Sequence, residues 1–422
     1  MTTVTAWLAA LPLLALPAAT RPTGDDPHWP RFRGPAGAGL STDEAPEDFT
    51  DEDYNWRVEL PGRGHSSPVV WGKRIFVTGS TRTGRRVLAC LSTEDGSELW
   101  TDEAKLTTVR MHDLNSNASA SPAVDASRVV VAWRDGGSRR VVALDHEGTR
   151  LWERTIEPFT AGHGATSSPV LVDGVVVLAH DNEAESGMSF LTGLNAETGE
   201  TIWTRERQTT KRRAAYATPA VRTTADGTRE VLFASTAHGL TALDPKTGDV
   251  RWEVGELFTT RCVSSPLVVE GENHNDLVFA TAGTGGGGKE SAAIALSADA
   301  EPKVLYRLRR GLPYVPTPVA YGGHLFLWAD GGTVACVRLS DGEELWRERV
   351  DGTFYGSPIC AGGRLYAMNT SGELVVLSAA AQHDELARID LGEASQATPA
   401  AVGGVLYLRT EGHLISVGGE LF

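Results

Sequence analysis

The stretch Leu243–Trp252 reads LDPKTGDVRW, and Leu194–Trp203 reads LNAETGETIW. Each is the end of a β-rich run, an acidic or polar turn with a glycine, and a short strand that carries a Trp. Glycine there supplies the positive φ that a bulged hairpin loop of about three to five residues needs. Upstream of each such turn stands a second apolar run, such as Val129–Trp133, Val175–Ala179 or Leu365–Met368, and before it a hydroxyl residue followed by proline. That pair occurs at Ser67-Pro68, Ser121-Pro122, Ser168-Pro169, Thr218-Pro219, Ser265-Pro266, Thr317-Pro318, Ser357-Pro358 and Thr398-Pro399. The unit is strand, strand, strand, glycine turn, strand, and recurrence at a period of about 40–50 residues is the signature of a repeat architecture.

The Trp past the turn stands at Trp100, Trp152, Trp203, Trp252 and Trp346, with Tyr306 in its place in one unit and Ala387 in another. The missing eighth aromatic is Trp56, near the front of the chain in YNWRVEL, while the last unit stops after three strands. These two irregularities resolve together if the strand Asp53–Leu60 completes the last unit. The expected fold is therefore all-β, an eight-bladed β-propeller of four-stranded antiparallel blades closed by pairing of the N-terminal strand with the last blade. Domain bounds follow: a signal peptide over 1–20, an extended leader over 21–52, and the propeller over 53–422. An aromatic ring on the outermost strand, laid against the next blade, buries ~150–250 Å². That is on the order of 4–6 kcal/mol per seam as an upper bound. Ala387 forfeits this contact, so the seam at the seventh blade (Ser357–Leu391) is expected to be the softest.

The composition agrees. Of 422 residues, 46 are glycine and 21 proline, a turn-rich share, and the formal charge of −15 disfavours nucleic acid or an anionic membrane surface as partner. Four cysteines are too few for a disulfide scaffold. Ala6–Leu16 (AWLAALPLLAL) is an apolar run of 11 residues followed by Ala18-Ala19-Thr20. It is too short to span a bilayer and suits the hydrophobic stretch of a secretory signal, so an exported protein, periplasmic or extracellular, is expected. With no Cys near the cleavage region, no lipid anchor is expected. With no later apolar run near ~18 residues, no membrane span is expected either.

These residues resemble a known group, the quinoprotein-like propellers built from pyrroloquinoline-quinone (PQQ) repeats. TALDPKTGDVRW (Thr241–Trp252) and VALDHEGTRLW (Val142–Trp152) are close copies of the family's Ala-Leu-Asp, Thr-Gly, Trp consensus, and HWPRFRGPAGAGLS (His28–Ser41) is similar to leaders that precede such propellers. The family contains PQQ-dependent alcohol dehydrogenases and non-enzymatic BamB-type scaffolds. The resemblance implies a choice between them that fold alone does not make. A dehydrogenase of this kind implies PQQ held with Ca²⁺, calcium carboxylates and often adjacent cysteines. Here no two cysteines are adjacent, and Cys90, Cys262, Cys336 and Cys360 read as small core fillers. The expectation is a scaffold of BamB type without a cofactor, with an envelope or secreted protein as partner. The alternative is an enzyme on the same face, either a dehydrogenase holding PQQ with calcium or another activity.

In a propeller, the loop entering the innermost strand and the loop between strands two and three open on one face. The first set of loops carries Arg63, His65, Asn117, His163, Tyr216, Arg261, Tyr314, Tyr355 and Gln396. The second carries Asp135, Asp181, His238, Lys289, Asp330, Asn369 and Glu411. His65, His163, Tyr216, Arg261, Tyr314, Tyr355 and Asp330 are the candidate contacts for a protein segment or small ligand, with no catalytic residue named. His65, His163 and His238 lack the short spacing of a metal motif, and no metal site is expected. The run Gly283–Glu290 only approaches a phosphate-binding loop. Its last position is Glu rather than Ser or Thr, and a strand follows where a helix is needed.

Overall fold

The computed structural model describes residues 28–419 except 109–111, 113, 165, 184–187, 209–213, 286 and 298–299. The expected signal segment, residues 1–20, lies outside the described residues. Eight sheets follow one another around an axis, each built on four antiparallel strands; seven of these sets run in chain order from the inside out, the eighth takes its outer strand from the N-terminal side, and two sheets gain a fifth strand from the leader. Blade 4 is representative, with strands Ala220–Thr223, Arg229–Ser235, Gly239–Leu243 and Val250–Val254. The ring closes as the sequence predicts. Tyr54–Glu59 pairs antiparallel with His413–Val417 and becomes the outer strand of the eighth blade.

The hydroxyl-proline pairs do more than mark the repeat. The backbone N–H of each Ser or Thr donates to the side-chain hydroxyl of the same residue in the next blade. The bonds run from Ser67 to Ser121, Ser168, Thr218, Ser265, Thr317, Ser357 and Thr398. Thr398 then donates back to Ser67, so a closed circuit of eight bonds at 2.8–3.1 Å surrounds the axis. An inner strand has no neighbour on the axis side to take up its N–H, so a side chain of the adjacent repeat must do so. Thr218→Val keeps the shape but strands the Ser168 N–H in a buried place. We expect a loss of about 1–3 kcal/mol, read as a lower urea midpoint, with Thr218→Ser close to wild type.

The outer aromatics dock as expected, with a constraint on each side. The indole N–H of Trp56, Trp100, Trp152, Trp203 and Trp346 donates to a carbonyl of the following blade, at Thr93, His146, Ala196, Pro245 and Ala380. The Tyr306 hydroxyl donates to Leu339 in the same way. Each of the first four rings lies on a turn glycine. At Gly199 (φ 72°) a Cβ would stand 2.6 Å from the ring of Trp152, so this glycine serves both the turn and the seam. Across the sheet each ring faces a small residue: Cys90 opposite Trp100, Ala143 opposite Trp152, Gly193 opposite Trp203, Cys336 opposite Trp346. Where Ala387 replaces the aromatic, the facing residue grows to Val376.

Trp252 departs from the rule. It packs in the seam between blades four and five, but its N–H points to the Glu230 carboxylate of its own blade at 3.3 Å. The corresponding turn of the next blade, residues 297–300 (SADA), carries no glycine in sequence, and the buried Arg222, paired with both Glu230 and Asp276, occupies this seam instead.

The leader is part of the ring rather than a free extension. His28–Trp29 pairs with the innermost strand of blade 1 (Val69–Trp71), and Leu40–Ser41 runs parallel to the innermost strand of blade 7 (Ile359–Ala361). Between them the chain turns inside the channel and buries Arg31 and Arg33. All five N–H groups of Arg33 are taken by carbonyls. Nη1 donates to Thr317 and Pro358, Nη2 to Pro318 and Ala38, and Nε to Gly37. Arg31 Nη2 donates to the Pro219 carbonyl at 3.0 Å. The glycines of RGPAGAG make room: a Cβ on Gly39 would lie 2.6 Å from Arg33 Nη2. Farther on, Ala45 and Phe49 join the largest apolar cluster, which spans blades 7, 8 and 1. Tyr366 donates to the Ala45 and Pro46 carbonyls, and Glu47 pairs with Arg364. The leader thus covers the seam that the sequence marked as softest.

Candidate functional site

Because the leader enters from the side opposite the loops, the channel becomes a pocket of about 520 Å³ open on the loop face, with Phe32 of the leader in its lining. His65, His163, Tyr216, Arg261, Tyr314, Tyr355 and Asp330 all line it. They come from six different repeats and are brought together by the eightfold arrangement of the loops. Gln396 and Lys289 line it as well.

Two networks hold its walls. On one side Arg261 donates from Nη1 to His163 Nε2 at 3.0 Å and from Nη2 to Glu183 Oε1 at 3.2 Å, with its guanidinium over the Tyr216 ring. Glu183 also accepts from the Gly162 N–H at 2.7 Å, and Tyr216 donates its hydroxyl to Glu183 at 3.4 Å. A ring nitrogen that accepts from arginine must be unprotonated. Burial first, then Arg261 and His112, hold the His163 pKa below its ordinary value. Burial and the Glu183 charge push Tyr216 up, so its hydroxyl stays protonated as a donor. On the other side Lys289 Nζ meets Asp330 at 2.8 Å, and the same carboxylate accepts the N–H groups of Tyr314 and Val315. Asp330 therefore fixes the Tyr314 loop rather than standing free. His65 is driven down to about 4 by burial and by Arg409 behind it, which makes it neutral at pH 7.

The other loop residues are taken up elsewhere. Arg63 pairs with Glu411 in an open groove at the blade 8 to blade 1 seam, beside the His413–Glu393 pair. Asp135 binds Arg140 and Asp181 binds Arg207, while Asn369 caps its own turn. His238 pairs with Glu253 and does not join His65 and His163 at the pocket. Among the described residues no three or more His, Cys, Asp or Glu side chains are grouped to hold a metal ion. Glu183 escaped the sequence reading, since nothing in its local pattern sets it apart from a solvated loop acid.

The lining does not suit a calcium-held quinone. Among the described residues it offers one carboxylate, Asp330, already engaged by Lys289 and two N–H groups. The four cysteines are buried and apart. Cys90 and Cys336 face Trp rings, and desolvation pushes both thiols up to about 12. Nor does any described hydroxyl in the lining hydrogen-bond a histidine ring, as an activated nucleophile needs. The arrangement is a preformed pocket with aromatic walls and fixed polar groups.

Fold and pocket together define a PQQ-repeat propeller of eight blades whose axial channel is closed at one end by its own leader. Within that class, the chain belongs to the family described as outer membrane protein assembly factor BamB, whose model matches residues 48–156, 85–306 and 299–420. The outer membrane protein assembly factor BamB of Yersinia pestis is 23% identical over 307 residues, covering 69% of this chain and 72% of that protein. The crystal structure of BamB from Moraxella catarrhalis superposes with a TM-score of 0.62 at 16% identity, over 87% of this chain and 97% of that one. A europium-containing methanol dehydrogenase superposes with a TM-score of 0.69 at 11% identity, over 91% and 90%. At such identities these structural likenesses speak for the fold alone.

Proposed function

We propose that this chain is an exported, BamB-like scaffold propeller of the cell envelope, periplasmic or extracellular, that docks a protein segment on its loop face without cofactor chemistry. The observation that carries this reading is the convergence of His65, His163, Tyr216, Arg261, Tyr314 and Tyr355 on one pocket whose polar groups are already fixed by Glu183 and Asp330. A rigid site with neutral histidines and no activated nucleophile is suited to binding. Membership of a family described as an assembly factor supports the same reading. The triple variant Tyr216→Ala, Arg261→Ala, Tyr355→Ala is expected to lose at least about tenfold in capture of its partner from the native envelope fraction. Unchanged capture would remove this face from consideration. Because the fold is shared with dehydrogenases, purified protein is also to be mixed with PQQ and Ca²⁺. We expect neither a bound-quinone absorbance nor dye reduction, and seeing both would defeat the scaffold reading.

A further inference from the structure

Each hydroxyl of the axial circuit accepts an N–H from the neighbouring blade, yet none of the eight donates its own hydrogen to any described residue. These side chains are at most 6% exposed, and seven of them, all but Ser121, line the axial pocket. An oxygen that receives an N–H from the side must send its O–H elsewhere, and the pocket is the open space it borders. The circuit therefore borders the pocket with a ring of buried hydroxyls free to donate into it.

The charge beneath and behind the ring has the same sign. Arg33 and Arg31 bind the carbonyls of Thr317, Pro318, Pro358 and Pro219, which belong to the ring residues or directly follow them. Arg409 lies behind His65 and donates to the Ser66 carbonyl at 2.9 Å. All three guanidiniums are buried, and none has a carboxylate partner among the described residues. Within the lining, Lys289 and Asp330 cancel, and Arg261 is balanced by Glu183 just behind. A protein of net charge −15 thus keeps an uncompensated positive field at the bottom of its one axial pocket. The same pocket is also lined by apolar and aromatic side chains, Leu114, Val263, Val315 and the tyrosines, together with Phe32 of the leader.

We propose that the axial pocket receives an acidic segment of a partner protein, its carboxylate seated on the hydroxyl ring and its aliphatic stem against the apolar walls. This rests on the loop-face docking reading and names the chemistry of what docks there. Hydroxyl donors converging on a carboxylate make charge-assisted hydrogen bonds, and the buried arginines add attraction in a poorly screened setting.

The test uses the full chain and fluorescence anisotropy. The probe is a dye-labelled octapeptide of alternating leucine and glutamate with a free C-terminal carboxylate. Its counterpart has glutamine for glutamate and an amidated end. The acidic peptide is expected to bind at least about tenfold more tightly than the neutral one, and to weaken as NaCl is raised. Gln396→Glu places a like charge in the pocket at a side chain that makes no hydrogen bond to any described residue, and is expected to weaken the acidic peptide by at least about tenfold. Gln396→Met, uncharged and of similar size, separates charge from shape: it is expected to weaken the acidic peptide clearly less than Gln396→Glu does. Equal binding of the two peptides, no binding of the acidic one, or indifference to Gln396→Glu overturns the proposal. If capture of the envelope partner still depends on Tyr216, Arg261 and Tyr355 in that case, the docking face stands and only the acidic chemistry falls.

Discussion

Arg33→Met is expected to lower the stability of the ring by about 3–5 kcal/mol, because several buried carbonyls lose their donor at about 1–3 kcal/mol each, offset in part by no longer burying an unpaired charge. The guanidinium satisfies carbonyls of blades 6 and 7 that face the axis, where no further strand can reach them, and it ties both to the leader through Gly37 and Ala38. Methionine fills much of the volume and leaves those carbonyls buried without donors. Arg33→Lys is expected to recover only part of the loss, because an ammonium has three donors against five and lacks the planar fork. Urea denaturation reads the effect as a shift of midpoint at unchanged slope. A midpoint within about 0.5 kcal/mol of wild type would mean that the leader lies on the ring without stabilising it.

The contrast between what the sequence disclosed and what it withheld has a physical basis. Blade number, the closing role of Trp56 and the seam role of the other aromatics follow from repetition, because eight copies of one local pattern reinforce a single reading. The leader has no such copies. Its Arg, Pro and Gly residues read only as an extended leader, and a buried arginine satisfied by carbonyls leaves no acidic partner in the sequence to betray it. The hydroxyl of each Ser-Pro or Thr-Pro pair was legible as punctuation, but its bond reaches a residue 40–54 positions away, or 331 where the ring closes, and exists only once the blades have assembled. The pocket residues were legible through loop position, since strand order assigns each loop to a face. Strand order does not say which side chains satisfy one another, and so Glu183 was missed while His238 turned out to serve Glu253.

The second large effect is expected at an ordinary seam. Trp203→Ala removes a ring that is nearly buried, rests on Gly248, faces Gly193 across the sheet and donates to the Pro245 carbonyl at 2.8 Å. With Gly248 and Gly193 against its two faces, neither of these contacts has a side chain to move into the space, so the cavity relaxes little. We expect a loss of about 3–5 kcal/mol. Amide exchange should quicken first in Thr201–Arg207 and in the facing strands of blade 4, while distant blades keep their protection. The seam after Ala387 provides the internal comparison. It lacks an aromatic, and sequence alone marks it as the softest, yet Val376 is enlarged opposite the alanine and Ala45, Phe49 and Tyr54 pack into the cluster it shares with blade 8. In the intact protein, exchange in Glu385–Asp390 should therefore resemble that of other outer strands. Arg33→Met, by loosening the leader, should raise it there before it does so in blades 3 to 5. Fast exchange in this strand with the leader intact would show that the leader does not substitute for the missing ring, and uniform exchange after Arg33→Met would show that it does not act on this seam at all.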